Sequence, residues 1–462
     1  MKQLIHLDLD IYQDQLVVKS NFLGDKMKIR FFSLFDYVLL ICVLLLTIIG
    51  IFFIYSSGVN SQKVLVSNEY IKQIFWGVSG IVLIFVVSLI DYRKLRRICP
   101  WLFVALILVL IYTKLFGRYV NGAKSWIGIG GFGIQPSEFG KIIFILFLAW
   151  YLEKSENTEP KKRFLISLCI MLVPMGLILL QPDLGTATVY IPIFLLMCYL
   201  AGIPLRFLML FFATGMLTVI ITVLPIWESE IVQKDVTLVN LITEPKLRLF
   251  LIAVSSAITV LSLFGSIFFK KKYYYWIAYS FTIITLALVL SIGAGKVLKD
   301  YQIKRLIVFL DPQTDPLGSG WNIIQSQIAI GSGNIFGQGF LQGTQSHYRF
   351  LPQQSTDFIF SILSEELGFF GGLLVFGLYL VIILRGFSVI KTTTDVFGCY
   401  IASGVCAMIF YHFIVNVGMV MGIMPITGIP LLFLSYGGSS LWTAMISIGL
   451  LESVKLRRLD FH

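Results

Sequence analysis

The chain has 462 residues, of which 57% are apolar and only 13% charged, against roughly 45–50% and ~25% in an average soluble domain. One or two soluble cores could not bury so much apolar surface, and high hydrophobicity with low charge excludes a disordered chain. The 36 Lys and Arg exceed the 25 Asp and Glu by 11, yet no basic block interleaved with stacking aromatics points to nucleic acid.

Residues 1–30 are polar and carry four aspartates, so they read as a tail and not as a signal peptide. Apolar runs follow at 31–56, 71–90, 99–116, 138–152, 164–180, 186–202, 206–227, 248–269, 276–295, 357–384, 397–420 and 427–452. Most approach the ~20 residues that cross a bilayer core, and the shorter ones are accommodated by tilt or local thinning. The expectation is therefore an all-α polytopic membrane protein of about twelve spans. A first group of helices occupies 31–227 with an outer loop at 117–137. A helical hairpin fills 228–296, a large outer loop runs over 297–356, the last three helices occupy 357–455, and 456–462 is a tail.

Lys and Arg gather on alternate loops. These are the N-terminal tail, Arg93 to Arg97, Lys154 to Arg163, Arg206, Lys270 to Lys272, Arg385 with Lys391, and Lys455 to Arg458. By the positive-inside rule those loops and both termini lie on the cytoplasmic side. The six cysteines fall in apolar runs without a CxxC and read as small packing residues.

The two long outer segments carry the polar chemistry. In Lys304-Arg305-Leu306-Ile307-Val308-Phe309-Leu310-Asp311-Pro312-Gln313-Thr314-Asp315-Pro316-Leu317-Gly318-Ser319-Gly320, two Asp-Pro pairs follow a basic pair. Such pairs start turns and cap helices, whereas a carboxylate at the membrane surface can also be tuned as a general base. The spacing leaves both readings open. Beyond it, Gly331-Ser332-Gly333, Gly337-Gln338-Gly339 and Gly343-Thr344-Gln345-Ser346 offer amides and hydroxyls suited to sugar or phosphate, or else a compact polar loop. His347, the one histidine of this loop, reads as a surface polar group. No metal-ligand spacing, GxSxG elbow or P-loop occurs.

Ionisable residues within membrane helices are costly and suggest function. Glu138 and Lys141 lie three apart on one helix face and can pair. Asp183, Asp357, Glu365 and Glu366 stand at or just inside outer helix ends, where Asp183 and Asp357 are expected as caps.

These residues resemble the SEDS family (shape, elongation, division and sporulation proteins). The resemblance is carried by Asp315-Pro316-Leu317-Gly318-Ser319-Gly320-Trp321-Asn322, Gly337-Gln338-Gly339, Gly343-Thr344-Gln345-Ser346, Phe350-Leu351-Pro352 and Thr356-Asp357-Phe358-Ile359-Phe360. Further matches are Asn121-Gly122-Ala123-Lys124-Ser125-Trp126, Gln135-Pro136-Ser137-Glu138, Gln181-Pro182-Asp183-Leu184, Gly428-Ile429-Pro430 and Ser435-Tyr436-Gly437-Gly438. The Gly-Thr-Gln-Ser element favours the family's elongation branch over its division branch. Gln353 and Ser355 depart from the Glu and His of many members, and Leu432 replaces a common Pro.

The resemblance implies a peptidoglycan glycosyltransferase that polymerises lipid II at the outer face of the bacterial cytoplasmic membrane during elongation. Lipid II is a disaccharide-pentapeptide on undecaprenyl diphosphate. A loop Asp serves as general base, mapping best onto Asp315 with Asp311 as runner-up. Lys304, Arg305 and Lys124 become candidates for diphosphate contacts, and Trp126, Gln325 and Ser326 for substrate binding. Glu138 with Lys141 matches a pair shaping a central cavity, with Asp183, Asp357 and Glu365 around it. The family usually has ten spans, so the hairpin at 228–296 reads as an insertion. Expected partners are a class B penicillin-binding protein and other elongation-complex proteins. No organic cofactor is implied, and a divalent cation, Mg or Mn, remains open. The rival readings are a lipid II flippase and a non-catalytic scaffold for a transpeptidase.

Overall fold

The computed structural model describes residues 34–458 apart from 121–122, 130–131, 233, 235, 298–299 and 316–317. The expected tail at 1–30 lies outside the described residues, as does most of 456–462. Each apolar run of the sequence corresponds to a helix: α1 (Tyr37–Ser57), α2 (Glu69–Leu89), α3 (Leu95–Phe116), α4 (Pro136–Lys154), α5 (Pro160–Leu179), α6 (Leu184–Leu200) and α7 (Leu205–Trp227). After the short α8 (Thr237–Thr243) come α9 (Pro245–Phe269) and α10 (Lys272–Val297). The outer segment holds α11 (Asp300–Leu310), α12 (Ser319–Ser332) and α13 (Thr344–His347). Last come α14 (Ile359–Thr392), α15 (Val396–Val420) and α16 (Gly438–Leu456). Among the described residues nine helices are long and apolar enough to cross a membrane, and α6 is a shorter apolar helix. The chain is a multi-pass membrane protein.

Local chemistry sets the helix starts. Asp36, Asp183 and Asp395 accept from the backbone N–H of Leu39, Thr186 and Gly398 at 3.2, 3.1 and 3.0 Å, each satisfying an orphan donor of a first turn. Pro136, Pro160 and Pro245 occupy first-turn positions of α4, α5 and α9, where a missing N–H costs nothing. The central helix is α15, with 78% of its span buried against α14, α6, α4 and α16, whereas α9 has only 17% buried and lies at the periphery.

One end of the bundle is basic and tied together. Arg96 bridges Glu153 at 2.8 Å and also pairs with Asp395. Lys455 meets Asp36 at 2.5 Å, and Arg457 meets Asp91 at 3.5 Å. These residues all come from the loops assigned to one side by charge. The hairpin agrees: α9 and α10 pack together, Lys270 turns the chain at φ 50°, and Tyr279 donates to the Arg206 carbonyl at 2.8 Å. The three lysines therefore lie at the same end as Arg206.

At the other end, the outer segment 117–137 is a small antiparallel sheet, β1 (Arg118–Val120), β2 (Ala123–Ile129) and β3 (Phe132–Ile134), with Arg118 opposite Trp126 and Ile127 opposite Ile134. Two expectations are corrected. The run 427–452 is helical only from Gly438, because residues 421–437 are irregular. The run 357–384 becomes a helix reaching Thr392, broken at Gly368 (φ 66°, ψ −158°). A Cβ there would strike the Gly337 N–H and the Ile335 carbonyl, so only glycine admits the outer loop into the break. Through that gap the loop pairs with the helix: Phe369 N–H donates to Asn334 O at 2.9 Å, and Gln338 N–H to Glu365 O at 3.0 Å.

Candidate active site

The outer loop folds on three short helices. On α11, Lys304, Ile307 and Val308 share one face, and Ile307 and Val308 are buried. A 3₁₀ turn (Pro312–Thr314) follows and ends at Asp315. The Asp315 carbonyl accepts from Gly318 N–H at 3.3 Å and Gly320 N–H at 3.0 Å, which starts α12. A side chain at position 318 would fall on the Asp315 carboxylate, and one at position 320 on the Pro312 carbonyl. The glycines of this motif are thus required by the close approach of the Asp315 turn.

Asp315, Thr314 and Lys304 line one cavity of about 320 Å³ with Ile226, Glu230, Ile307 and Val308. Asp311 has a different job. Its carboxylate accepts from Gln313 N–H at 2.9 Å as the cap of the 3₁₀ turn, and its carbonyl accepts from Thr314 Oγ1 at 2.7 Å. The two acids look alike in sequence, but only Asp315 lines the cavity.

The other residues singled out by sequence divide. Arg305 lies close enough to Asp357 for its charge to oppose burial, which pushes that carboxyl above its ordinary value; a hydrogen bond from Thr356 opposes it as well. Asp357 does not cap α14, because Phe358 takes the cap position. Lys124 reaches back to the Leu115 carbonyl at 2.6 Å, and Trp126 packs over Gly133 in the small sheet, so neither lines the Asp315 cavity. Gln325 and Ser326 are buried. Ser326 Oγ bonds Ser361 Oγ at 2.6 Å and donates to the Val420 carbonyl at 2.7 Å, fastening α12 to α14 and α15. It holds the scaffold and does not present its hydroxyl to a substrate.

The polar Gly-Thr-Gln-Ser stretch is likewise turned inward. The Glu365 carboxylate accepts from Gln345 N–H at 2.7 Å, Ser346 N–H at 3.2 Å and Thr344 Oγ1 at 3.2 Å, capping α13 from another element. Glu366 accepts from Leu341 N–H at 3.1 Å and from Ser56. His347 is buried and not at the surface; its Nδ1 meets the Val59 carbonyl at 2.9 Å, and its Nε2 stands 3.7 Å from Glu366. These donors satisfy the protein itself.

Below the outer face, Lys141 Nζ lies 2.8 Å from Glu138 and 3.1 Å from His412 Nε2, with Lys141 and His412 both buried. His412 Nδ1 is 2.9 Å from the Pro430 carbonyl. A carbonyl only accepts, so the ring proton sits on Nδ1 and Nε2 accepts from the ammonium. Side chains hold the rest of the unwound segment too. Asn416 donates to Ile429 O at 2.8 Å and to Asp357 O at 2.9 Å, Tyr379 donates to Leu432 O, and Gln73 donates to Ser435 O at 3.1 Å. Non-helical backbone at membrane depth needs such internal partners. Ser355, one of the family departures, supplies the carbonyl that receives Tyr436 N–H at 2.8 Å. Asp183 joins the same end, accepting from Gln135 Nε2 at 2.7 Å. Beside the small sheet, Phe75, Trp76, Leu106, Ile134, Phe139 and Trp442 help line an apolar groove of about 720 Å³.

The sequence matches the FtsW/RodA/SpoVE family, "Cell cycle protein", over residues 36–246 and 236–459. The chain belongs to this family. It is 55% identical to peptidoglycan glycosyltransferase RodA of Treponema pallidum, over 94% of this chain and all of that one. It is 31% identical to peptidoglycan glycosyltransferase MrdB of Escherichia coli K12, over 82% of this chain and 83% of that one. The fold superposes with a TM-score of 0.64 on a solved chain described under structural coordination of polymerization and crosslinking by a peptidoglycan synthase complex. That match covers 92% of this chain and 99% of the other at 24% identity. Of the motif Asp315-Pro316-x-Gly318-x-Gly320, Asp315 lines the cavity, and Gly318 and Gly320 donate to its carbonyl.

Proposed function

We infer that the chain is a peptidoglycan glycosyltransferase of the elongation type, polymerising lipid II at the outer face of the cytoplasmic membrane. The observation that carries the catalytic assignment is the shared cavity of Asp315 and Lys304, set against the capping role of Asp311. The acceptor sugar's hydroxyl oxygen attacks the anomeric carbon of the donor, and Asp315 takes the hydroxyl proton. The bond from that carbon to the lipid diphosphate breaks. A diphosphate departs without a carboxylic acid to protonate it, so the cations Lys304 and Arg305 stabilise the charge that develops. The apolar groove between α2, α3, α4 and α16 is suited to a polyprenyl chain.

Among the described residues no group of three or more His, Cys, Asp or Glu gathers to hold a metal ion. Mg or Mn, where taken up, would be held chiefly by diphosphate oxygens and water, the usual habit of Mg. The basic end of the bundle, with both termini, is assigned to the cytoplasm. The partner is assigned as a class B penicillin-binding protein within an elongation complex, a reading supported by the synthase complex of the similar fold.

The test is glycan synthesis from lipid II by the purified chain with its transpeptidase. Asp315→Asn lowers the rate by on the order of 10²–10⁴-fold, the usual worth of a positioned base, while Asp311→Asn keeps most of it. Loss in Asp311→Asn with retention in Asp315→Asn reverses the assignment. No strands from the intact complex refutes the enzymatic reading.

A further inference from the structure

The Asp315 cavity has a wall that no sequence motif touches. At the end of α7 the chain makes a π turn, Glu228–Val232, and Glu230 on that turn lines the cavity together with Asp315, Thr314 and Lys304. We propose that Glu230 is a substrate-contacting residue of this site, and that the cavity is the subsite of the acceptor sugar. The proposal rests on the glycosyltransferase reading above and adds to it the second carboxylate of the site.

Charge points to the sugar and away from the diphosphate. The lining holds two carboxylates, Glu230 and Asp315, and one cation, Lys304. Two carboxylates against one ammonium disfavour seating the diphosphate within the cavity, leaving Lys304 to meet it from the cavity's edge, and suit a neutral ring whose hydroxyl and acetamido N–H groups donate. Size agrees: about 320 Å³ is at the small end of the ~300–1,000 Å³ usual for ligand sites, room for one ring and not for a lipid-linked disaccharide-pentapeptide. Ile226, Ile307 and Val308 add an apolar strip for the C–H face of such a ring. Glu230 is also dispensable for the turn itself, which Glu228 closes by accepting from Val236 N–H.

In the transfer, the acceptor oxygen's lone pair forms the new bond to the anomeric carbon. The old bond to the diphosphate oxygen breaks and its electron pair leaves with the diphosphate, while the acceptor proton passes to Asp315. Glu230 gains no proton. It accepts a hydrogen bond from a neighbouring hydroxyl or acetamido N–H, turning the ring so that the reacting hydroxyl meets Asp315. The segment that leaves α7 toward the α9–α10 hairpin thereby gains a part in catalysis.

Full-length Glu230→Ala and Glu230→Gln, each with the transpeptidase partner, are assayed on lipid II beside wild type and Asp315→Asn. A lost hydrogen bond to a charged group corresponds to roughly 10–100-fold in kcat/KM, expected mainly as a raised KM. Glu230→Gln, which keeps an acceptor oxygen, recovers part of it. Apparent Tm is unchanged, since an exposed side chain without structural partners contributes little to stability. Glu230→Ala within twofold of wild type overturns the inference while leaving the glycosyltransferase reading intact. A fall in Tm matching the loss of activity overturns it too, in favour of a structural role. An inactive wild type overturns both.

Discussion

The Lys141 site gives a prediction whose size follows from burial. Lys141→Met removes the ammonium that lies 2.8 Å from Glu138 and 3.1 Å from His412. Lys141 is fully buried and Glu138 nearly so, so the substitution strands a carboxylate in a low-dielectric interior and leaves His412 Nε2 without its donor. Breaking a buried pair in this way costs about 3–5 kcal/mol, a drop in apparent Tm of roughly 3–5 °C in a chain of this length. Glu138→Gln strands the ammonium instead and is expected to cost a similar amount. The double variant leaves no uncompensated charge and should lose much less than the sum of the two. The assay is thermal unfolding of all four proteins in one detergent, read as a double-mutant cycle. Coupling of at least about 1.5 kcal/mol is expected, since contacting charged groups couple by roughly 0.5–3 kcal/mol. Single losses that add within about 0.5 kcal/mol would show that the pair does not act as a unit, and would refute the argument.

Three further outcomes follow from the outer loop. Glu365→Ala removes the acceptor of three donors that cap α13 and should cost about 2 kcal/mol. Amide exchange at residues 343–347 should rise first, and unchanged protection there would count against the cap. Gly368→Ala places a Cβ against the Gly337 N–H at φ 66°, so it should destabilise by more than about 1 kcal/mol and lower polymerisation by displacing the loop. Retained activity and Tm would contradict this. Asp357 has a carboxyl pushed up by burial from its ordinary 3.8, so the folded state holds its proton more tightly than the unfolded chain. That contribution is complete below 3.8 and is lost as pH rises through the raised value. Asp357→Asn should therefore gain in Tm relative to wild type between pH 4 and neutrality, and a pH-independent difference would sink the explanation.

The helices were legible in sequence because a membrane selects apolar residues along a whole span, and each run became a helix. The run 427–452 misled for the same reason. Leu431 to Leu434 are as apolar as any helix, but Gly428 and Pro430 open the backbone, and the open carbonyls are satisfied by side chains, His412 and Asn416 of the preceding helix α15 and Tyr379 of α14. Period and composition do not encode such partners. A lone histidine in an apolar helix was the one available signal for His412, since ionisable groups at membrane depth need a named partner.

The polar outer loop shows the opposite error. Amides and hydroxyls around Gly343 to Ser346 have the composition of a ligand surface, yet Glu365 and Glu366 consume their donors from inside the bundle. Composition reports how many donors a segment carries, whereas only the fold reports where they point. The same limit explains why spacing alone did not separate Asp311 from Asp315, which only the family resemblance ranked: both precede proline, and the difference is a cap hydrogen bond on one and a cavity wall on the other. Glu230 had no signal at all, lying in a polar stretch with no motif. It reaches the cavity only because α7 packs against α11, the helix that carries Lys304. Residues recruited by packing between distant elements are where a reading of motifs ends, and in this chain they complete both the buried charge pair and the candidate catalytic cavity.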